Sequence, residues 1–343
     1  MKALTLEAYN DFQFGDAPDP ECGPDDVIVQ IRACGICGSD IHGMDGSSGR
    51  RIPPIIMGHE AAGVIDSLGS NVSGWNEGDR VTFDSMIYCE GCDVCDAGQT
   101  NLCETRMVIG VSCDDYRRHG CFAEKATIPG RLLMKIPDNV TFEQAAFVEP
   151  VSVALHAVNC VPLKEGDTAL VVGTGMIGLL VVQALKAKGA KTVYCIDKDE
   201  KRLKLAKELG AAECFSADDS AAVEKIRQRT DGLGVDVAME VVGITPTINA
   251  AMDALRLGGS LGAVGNISAT VDFPLQKLVT REISVHGSAG SSGECYEALD
   301  RIADGSIRVD PLISAAAPLS EGADWFKKLY DGSDLMKVIL KPS

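Results

Sequence analysis

Two patterns of apolar positions divide the chain. Residues 1 to about 150 carry short β-like runs, among them "DDVIVQIRACGI", "HEAAGVIDSLG" and "WNEGDRVTF", separated by Gly and Pro turns. They predict a β-rich, barrel-like domain. From about residue 151 the pattern changes. "DTALVVGTGMIGLLVVQALKAKGAKTVYCID" reads as strand, glycine turn, helix, strand, and "KDEKRLKLAKELGA" as a helix ending at Gly210. "VDVAMEVVG", "GGSLGAVG" and "EISVHGSAG" add buried strands, and "TPTINAAMDAL" adds a helix between them. Alternating strands and helices predict a doubly wound parallel sheet. A tail from about 288 holds a helix, "ECYEALDRIADG", and a last strand, "MKVILKP". The expected fold is therefore α/β, with a β-rich domain from 1–150 and 288–343 and a Rossmann domain from 151–287.

Length agrees with two cores: 343 residues, 45% of them hydrophobic. A net charge of −17 argues against nucleic acid or an anionic membrane as partner. The longest apolar run, "ALVVGTGMIGLLVV", is broken by glycines and too short to span a bilayer. "MKALTLEAYN" lacks a basic segment followed by an apolar stretch, so no signal peptide is expected and a cytoplasmic location is. Thirteen cysteines is an odd number, and without export a disulfide framework is not expected.

Four of those cysteines, Cys89, Cys92, Cys95 and Cys103, read C-x2-C-x2-C-x7-C. Gly91 and Gly98 offer the turns a short loop needs to bring four sulfurs together. Four thiolates suit a structural zinc closed to substrate, with an iron–sulfur cluster as the competing reading. A thioredoxin-like motif would place one CxxC at a helix start after a strand, whereas this loop is polar and holds overlapping pairs.

The second signal is G-T-G-M-I-G, with Gly173, Gly175 and Gly178 between the strand "ALVV" and a helix. Asp197 follows 19 residues after the last glycine, at the end of "VYCID". Glycines permit the turn and the approach of a pyrophosphate, and the helix N-terminus attracts it. A carboxylate at Asp197 accepts hydrogen bonds from ribose hydroxyls and repels a 2′-phosphate, so NAD is expected over NADP. Arg202 is placed to lie near the adenine.

A third constellation lies upstream. "ACGICGSDIHG" contributes Cys37, Ser39, Asp40 and His42, "MGHEAAG" contributes His59 and Glu60, and "FVEPVSVALH" contributes Glu149. With the cysteine loop and the glycine motif in this order, the whole chain resembles the medium-chain zinc-dependent alcohol dehydrogenases, and within them the polyol (sorbitol/L-iditol) branch. The resemblance implies a GroES-like catalytic domain joined to a Rossmann domain, two zinc ions per chain, NAD, and a homo-oligomer, dimer or tetramer. It implies Cys37 and His59 as catalytic-zinc ligands, with Glu60 and Glu149 as carboxylates of which one ligates and one lies near the open position. Asp40 would orient His59, and Cys34 would be a buried strand residue.

In the implied chemistry an alcohol polarised by zinc loses its proton through Ser39 and His42 and its carbinol hydrogen as hydride to the nicotinamide. Met176, Ile177, Val264, Gly265 and Ser288 complete the implied cofactor set. The substrate class is a small polyol, with threonine, a sugar acid or a sugar phosphate as alternatives. A zinc-stabilised NAD-binding protein without turnover is the non-enzymatic alternative. A zinc-free quinone reductase on the same fold would lack both metal sets. His119, His156 and His286 stand alone in sequence and receive no role.

Two departures from the family pattern bear on the substrate. Sorbitol-type relatives often carry an aromatic residue where this chain has Gly43, and an arginine where "GSAGSSG" offers Gly290. The expectation is a larger or less polar pocket at both points. Arg50 and Arg51 precede the G-H-E segment, where they would meet an anionic substrate group or, more commonly, form surface charge or a subunit contact.

Overall fold

A computed structural model describes residues 1–342. Two compact units emerge: Met1–Glu149 with Cys295–Ala303 and the chain from Val309 onward, and Pro150–Glu294 with Asp304–Arg308.

The first unit is built on a seven-stranded sheet. Its order is Leu133–Lys135, Arg80–Phe83, Glu60–Leu68, Asp26–Gly35, Lys337–Lys341, Ile313–Pro318, and Lys125–Pro129 also pairs with Asp26–Gly35. Alternate residues of the central strands point into one core, where Val27, Val29 and Ile31 meet Ile65, Val81, Phe122 and Leu340. Phe122 packs edge-on against Phe326, ring centroids 5.5 Å apart, which ties the C-terminal helix Gly322–Tyr330 to that core.

Two registers and one strand start decide what this sheet can do. Gly35 lies opposite Glu60 in one antiparallel pair and opposite Ile339 in another. The chain leaving Asp26–Gly35 therefore runs beside the chain entering Glu60–Leu68, which brings Cys37 next to His59. Lys337, at the start of its strand, is carried to the same end. A side chain at Gly35 would collide with Glu60 Oε2 and crowd the Lys337 stem, so glycine keeps space there for both.

The second unit is a six-stranded parallel sheet, ordered Glu213–Ser216, Thr192–Asp197, Thr168–Val172, Val235–Glu240, Leu255–Ala263, Ser284–Gly287. Strand order reverses direction at Thr168–Val172, and ligands of such sheets bind beyond the carboxyl ends of the strands at that point. The helix read over "KDEKRLKLAKELGA" is Glu200–Glu208, capped by Asp199 and ended by Gly210 at φ +113°.

Two local readings differ. Leu255, expected at the end of a helix, begins the strand Leu255–Ala263 once Ala254 has closed the helix Thr245–Ala254. The turn in the cysteine loop is made by Glu90, at φ +58°, and by Gly98, at φ +76°, and not by Gly91. The Gly91 N–H instead points at Cys89 Sγ, 3.5 Å away.

Candidate active site

Cys89, Cys92, Cys95 and Cys103 converge, all four sulfurs lying within 4.8 Å of one another. Thiolates bound tetrahedrally at ~2.3 Å from one ion stand about 3.8 Å apart, and Cys89 Sγ is 3.9 Å from Cys95 Sγ. The loop carries them on and beside the short helices Asp93–Asp96 and Thr100–Leu102. Hydrogen bonds from Thr105 and from the Cys89 backbone hold the Cys103 thiol down to about 6. The donor set fits a closed structural zinc.

The second cluster joins Cys37, His59 and Glu60, again within 4.8 Å. Thiolate, imidazole and carboxylate with one position left open is the donor chemistry of a catalytic zinc. His59 Nδ1 and Glu60 Oε1 are buried and lack a hydrogen-bond partner, which a bound cation's surroundings would relieve at the carboxylate. Burial, then the Glu60 charge, push the Cys37 thiol up to about 12. Burial raises Glu149 to about 8, with Glu60 and Cys37 adding to the rise and His59 opposing it. A site that resists holding its own anions is one that a divalent cation stabilises. Geometry separates the two glutamates: Glu60 joins the three-residue cluster, and Glu149, in the first turn of Val148–Asn159, stands beside it as an electrostatic neighbour.

One residue of this site, Lys337, was not expected from sequence, and a second, Arg51, has a different role from the one expected. Lys337, 1% exposed, donates through Nζ to the Ile36 carbonyl and pairs with Glu60 Oε2. Arg51 is neither surface charge nor a group free to meet an anionic substrate. It is 4% exposed and paired with the fully buried Asp40, Nη2 to Oδ1 2.9 Å. The stem of Arg51 also fills the space beside Gly43, so that glycine does not enlarge a pocket. Gly290 sits in a left-handed turn at φ +64°.

Asp40 lies 3.6 Å from His59 Nδ1, close but outside hydrogen-bonding distance. Ser39 Oγ donates to Cys37 Sγ at 3.3 Å. His42 is exposed, and its carbonyl accepts from Ser47 Oγ at 2.7 Å. Cys34 is fully buried in its strand. His119 accepts from the Ile56 N–H at 3.2 Å. His156 has partners after all: Glu294 Oε1 at 2.9 Å and Cys160 Sγ at 3.5 Å.

In the second unit Gly173, at φ +96°, makes the turn after Thr168–Val172, and Gly175 caps the helix Met176–Ala187. A side chain on Gly178 would strike the Gly173 carbonyl, so this glycine lets the helix start against the strand. The N–H groups of Met176 and Ile177 belong to the open first turn, where an anion is favoured. Asp197 closes its strand and accepts from the Thr174 and Asp199 N–H groups, 2.5 and 2.9 Å, one to each carboxylate oxygen. It thus braces the glycine turn and keeps a lone pair on each oxygen for a ligand. Arg202 reaches toward Gly175, its Nη1 4.0 Å from the point where a Cβ would stand. Val264 and Gly265 follow Leu255–Ala263 and both donate to the Glu240 carbonyl, while Ser288 donates from its backbone to Ala263. All three sit at carboxyl ends of strands.

Comparison with known proteins agrees with this architecture. The family model for the alcohol dehydrogenase GroES-like domain matches residues 23–138, and that for zinc-binding dehydrogenases matches 177–304. D-xylulose reductase A of Aspergillus niger is 32% identical over 346 residues, covering 98% of this chain and 96% of its own. A zinc-binding dehydrogenase from Sinorhizobium meliloti, solved with NADP, superposes with a TM-score of 0.92 at 32% identity over 99% of both chains. The 2R,3R-butanediol dehydrogenase of Bacillus subtilis gives 0.91 at 30% identity, covering 100% of this chain and 99% of its own. The chain belongs to the medium-chain zinc-dependent alcohol dehydrogenase family. It is an oxidoreductase of that class, and no described helix is long and apolar enough to cross a membrane.

The two cysteine-bearing clusters make separable predictions. His59→Ala should lower zinc content by about one ion per chain and leave the four-cysteine ion in place. Cys95→Ser should remove the other ion and depress thermal stability, because the loop loses its cross-link. Metal analysis with thermal melting checks both, and a Cys95→Ser protein with unchanged zinc and melting temperature would contradict the tetrathiolate assignment.

Proposed function

We propose that the protein oxidises a secondary alcohol of a small, uncharged polyol and transfers the hydride to NAD. The observation that carries this is the Cys37–His59–Glu60 cluster with the Ser39 hydroxyl on its thiolate. Zinc held by those three residues supplies Lewis acidity toward an alcohol oxygen, and NAD supplies the hydride acceptor. Ser39 accepts the alcohol proton, and the exposed His42 passes it to solvent. Burial, with Glu60 and Cys37 adding to it, raises the metal-free Glu149 to about 8, and a cation held beside it would favour its ionised form.

Charge bookkeeping around the site favours a neutral substrate over a sugar acid, a sugar phosphate or threonine. Arg51 is committed to Asp40 and Lys337 to Glu60, so neither cation is available to a substrate carboxylate or phosphate. Relatives named for a ketose and for a diol agree with a neutral substrate, whereas those named for galactitol-1-phosphate and for L-idonate do not. Ser39→Ala should retain metal and lower turnover on a polyol by ~10²–10⁴-fold. A panel of polyols, sugar acids, sugar phosphates and threonine assayed with NAD tests the substrate class, and activity confined to a phosphorylated substrate would overturn it.

For the dinucleotide we infer NAD, because a 2′-phosphate would face the Asp197 carboxylate. The NADP-bound relative and the approach of Arg202 to Gly175 make this worth measuring directly. Asp197→Ser should lower efficiency with NAD and raise it with NADP; a wild-type protein that prefers NADP would contradict the role given to Asp197.

We further infer a cytoplasmic homo-oligomer. Ser284–Gly287 is an edge strand carrying the exposed Val285, and the nearby helix Leu275–Thr280 exposes Leu275 and Val279, an apolar row suited to a second copy. Light scattering should give a dimer or tetramer mass, and a monomer at micromolar concentration would refute this.

A further inference from the structure

We propose that Arg51 is a positioning residue for the reaction, holding the Ser39 hydroxyl and the Asp40 carboxylate on one guanidinium. The proposal rests on the dehydrogenase reading above and adds to it a residue that none of the motifs contains.

Arg51 is placed with little freedom. Its backbone bridges to Ser112, and the Ile52 N–H donates to the Ser112 carbonyl at 3.0 Å. Its side chain is 4% exposed. Nε and Nη2 both donate to Asp40 Oδ1, at 3.1 and 2.9 Å, Nη1 donates to the Arg50 carbonyl at 2.9 Å, and Nη2 also donates to Ser39 Oγ at 3.2 Å. A lysine ammonium is a point charge and does not reproduce that planar fork.

What the fork accomplishes follows from donor and acceptor counts. A serine hydroxyl has one proton and two lone pairs. Arg51 occupies one lone pair, and the proton is directed to Cys37 Sγ. One lone pair is left, so Ser39 can accept a hydrogen bond from a single further hydroxyl; as it takes that proton it must release its own, which has to turn from Cys37 Sγ toward an outward acceptor. The same guanidinium fixes Asp40. Its Oδ1 lies 3.6 Å from His59 Nδ1, and its Oδ2 accepts from the Cys37 N–H at 3.3 Å. One side chain thereby locates the relay hydroxyl and the carboxylate that adjoins both metal-ligand candidates.

Gly43 supplies an independent observation. Its backbone has no need of glycine's left-handed region, yet a Cβ there would overlap the Arg51 Cγ and press on Ser48 Oγ. Glycine at 43 is what admits the arginine stem. The two positions form one packing unit, and a side chain at 43 would displace the fork.

The test compares Arg51→Lys, Ser39→Ala and the double variant, first in kcat and KM for a polyol. Arg51→Lys should lower kcat by about 10–100-fold with zinc content unchanged and KM for NAD unchanged. The double variant should be no slower than Ser39→Ala alone, because the arginine acts through the serine; multiplicative losses, or a kcat within about twofold of wild type, would overturn the proposal. The second readout needs no turnover. With cobalt(II) in the Cys37 site, the thiolate-to-metal absorption band should shift in Arg51→Lys in the same direction as in Ser39→Ala, since both release the hydroxyl from Cys37 Sγ. An unshifted band in Arg51→Lys would overturn the proposal even if no alcohol is turned over, an outcome that would separately refute the dehydrogenase reading. Should Arg51→Lys fail to fold, Gly43→Ala serves instead and should give the same shift with a smaller loss of kcat.

Discussion

The structure depends on a charge imbalance buried at one end of a sheet. Cys37, Glu60 and Glu149 can each carry a negative charge, and all three are desolvated around a common point. Leaving such groups ionised without a counter-charge is too costly for a stable fold. Lys337 pairs with Glu60 and its charge also favours the ionised forms of Cys37 and Glu149, but one positive charge cannot balance three negative ones. A divalent cation completes the balance. The registers that set Gly35 opposite both Glu60 and Ile339, and the glycine that leaves room for the Lys337 stem, are the backbone's answer to this requirement.

The second unit solves a different problem with similar means. Its ligand brings its own negative charge, so the site offers unpaired N–H groups at the start of Met176–Ala187 in place of acidic donors. Here too glycines keep space. Gly178 spares a collision with the Gly173 carbonyl, and Gly265 permits close passage beside Val242 and Gly243. Asp197 does two things at once: it ties the glycine turn to the neighbouring strand and presents free lone pairs beyond it. Replacing it would therefore alter the turn as well as the recognition of the ribose.

Sequence carried the parts of this design that are local. The spacing of Cys89 to Cys103 stands for a loop that closes on itself. The glycines at 173, 175 and 178 with Asp197 stand for one strand–helix–strand unit, and the order of the motifs led to the family. What it did not carry are contacts made across the sheet. Lys337 meets Glu60 from 277 residues away, and a single lysine at the head of "KVILK" reads as an exposed strand end. His156 and Glu294 pair across 138 residues, so the histidine looked solitary. Arg51 lies only 11 residues from Asp40, but its burial depends on how the 43–51 segment folds back, which no periodicity announces.

The Gly43 position shows why departures from a family pattern need volumes before they carry meaning. Set against relatives with an aromatic residue at this point, a glycine suggests a wider pocket and hence a bulkier or less polar substrate. The structure puts the Arg51 stem where that side chain would begin, and the guanidinium it carries is fully engaged by Asp40 and Ser39. The volume released at 43 is thus taken up by a charged side chain turned inward, behind the reacting hydroxyl. On the proposed reading, substrate choice follows less from the size of a cavity at 43 than from the pairing of Arg51 and Lys337 with buried carboxylates. A substrate bearing an anion would have to compete with Asp40 for Arg51 or with Glu60 for Lys337, and either exchange would leave a buried carboxylate unpaired. Neutral polyols meet no such penalty, since their hydroxyls can be satisfied by single lone pairs such as the one left on Ser39.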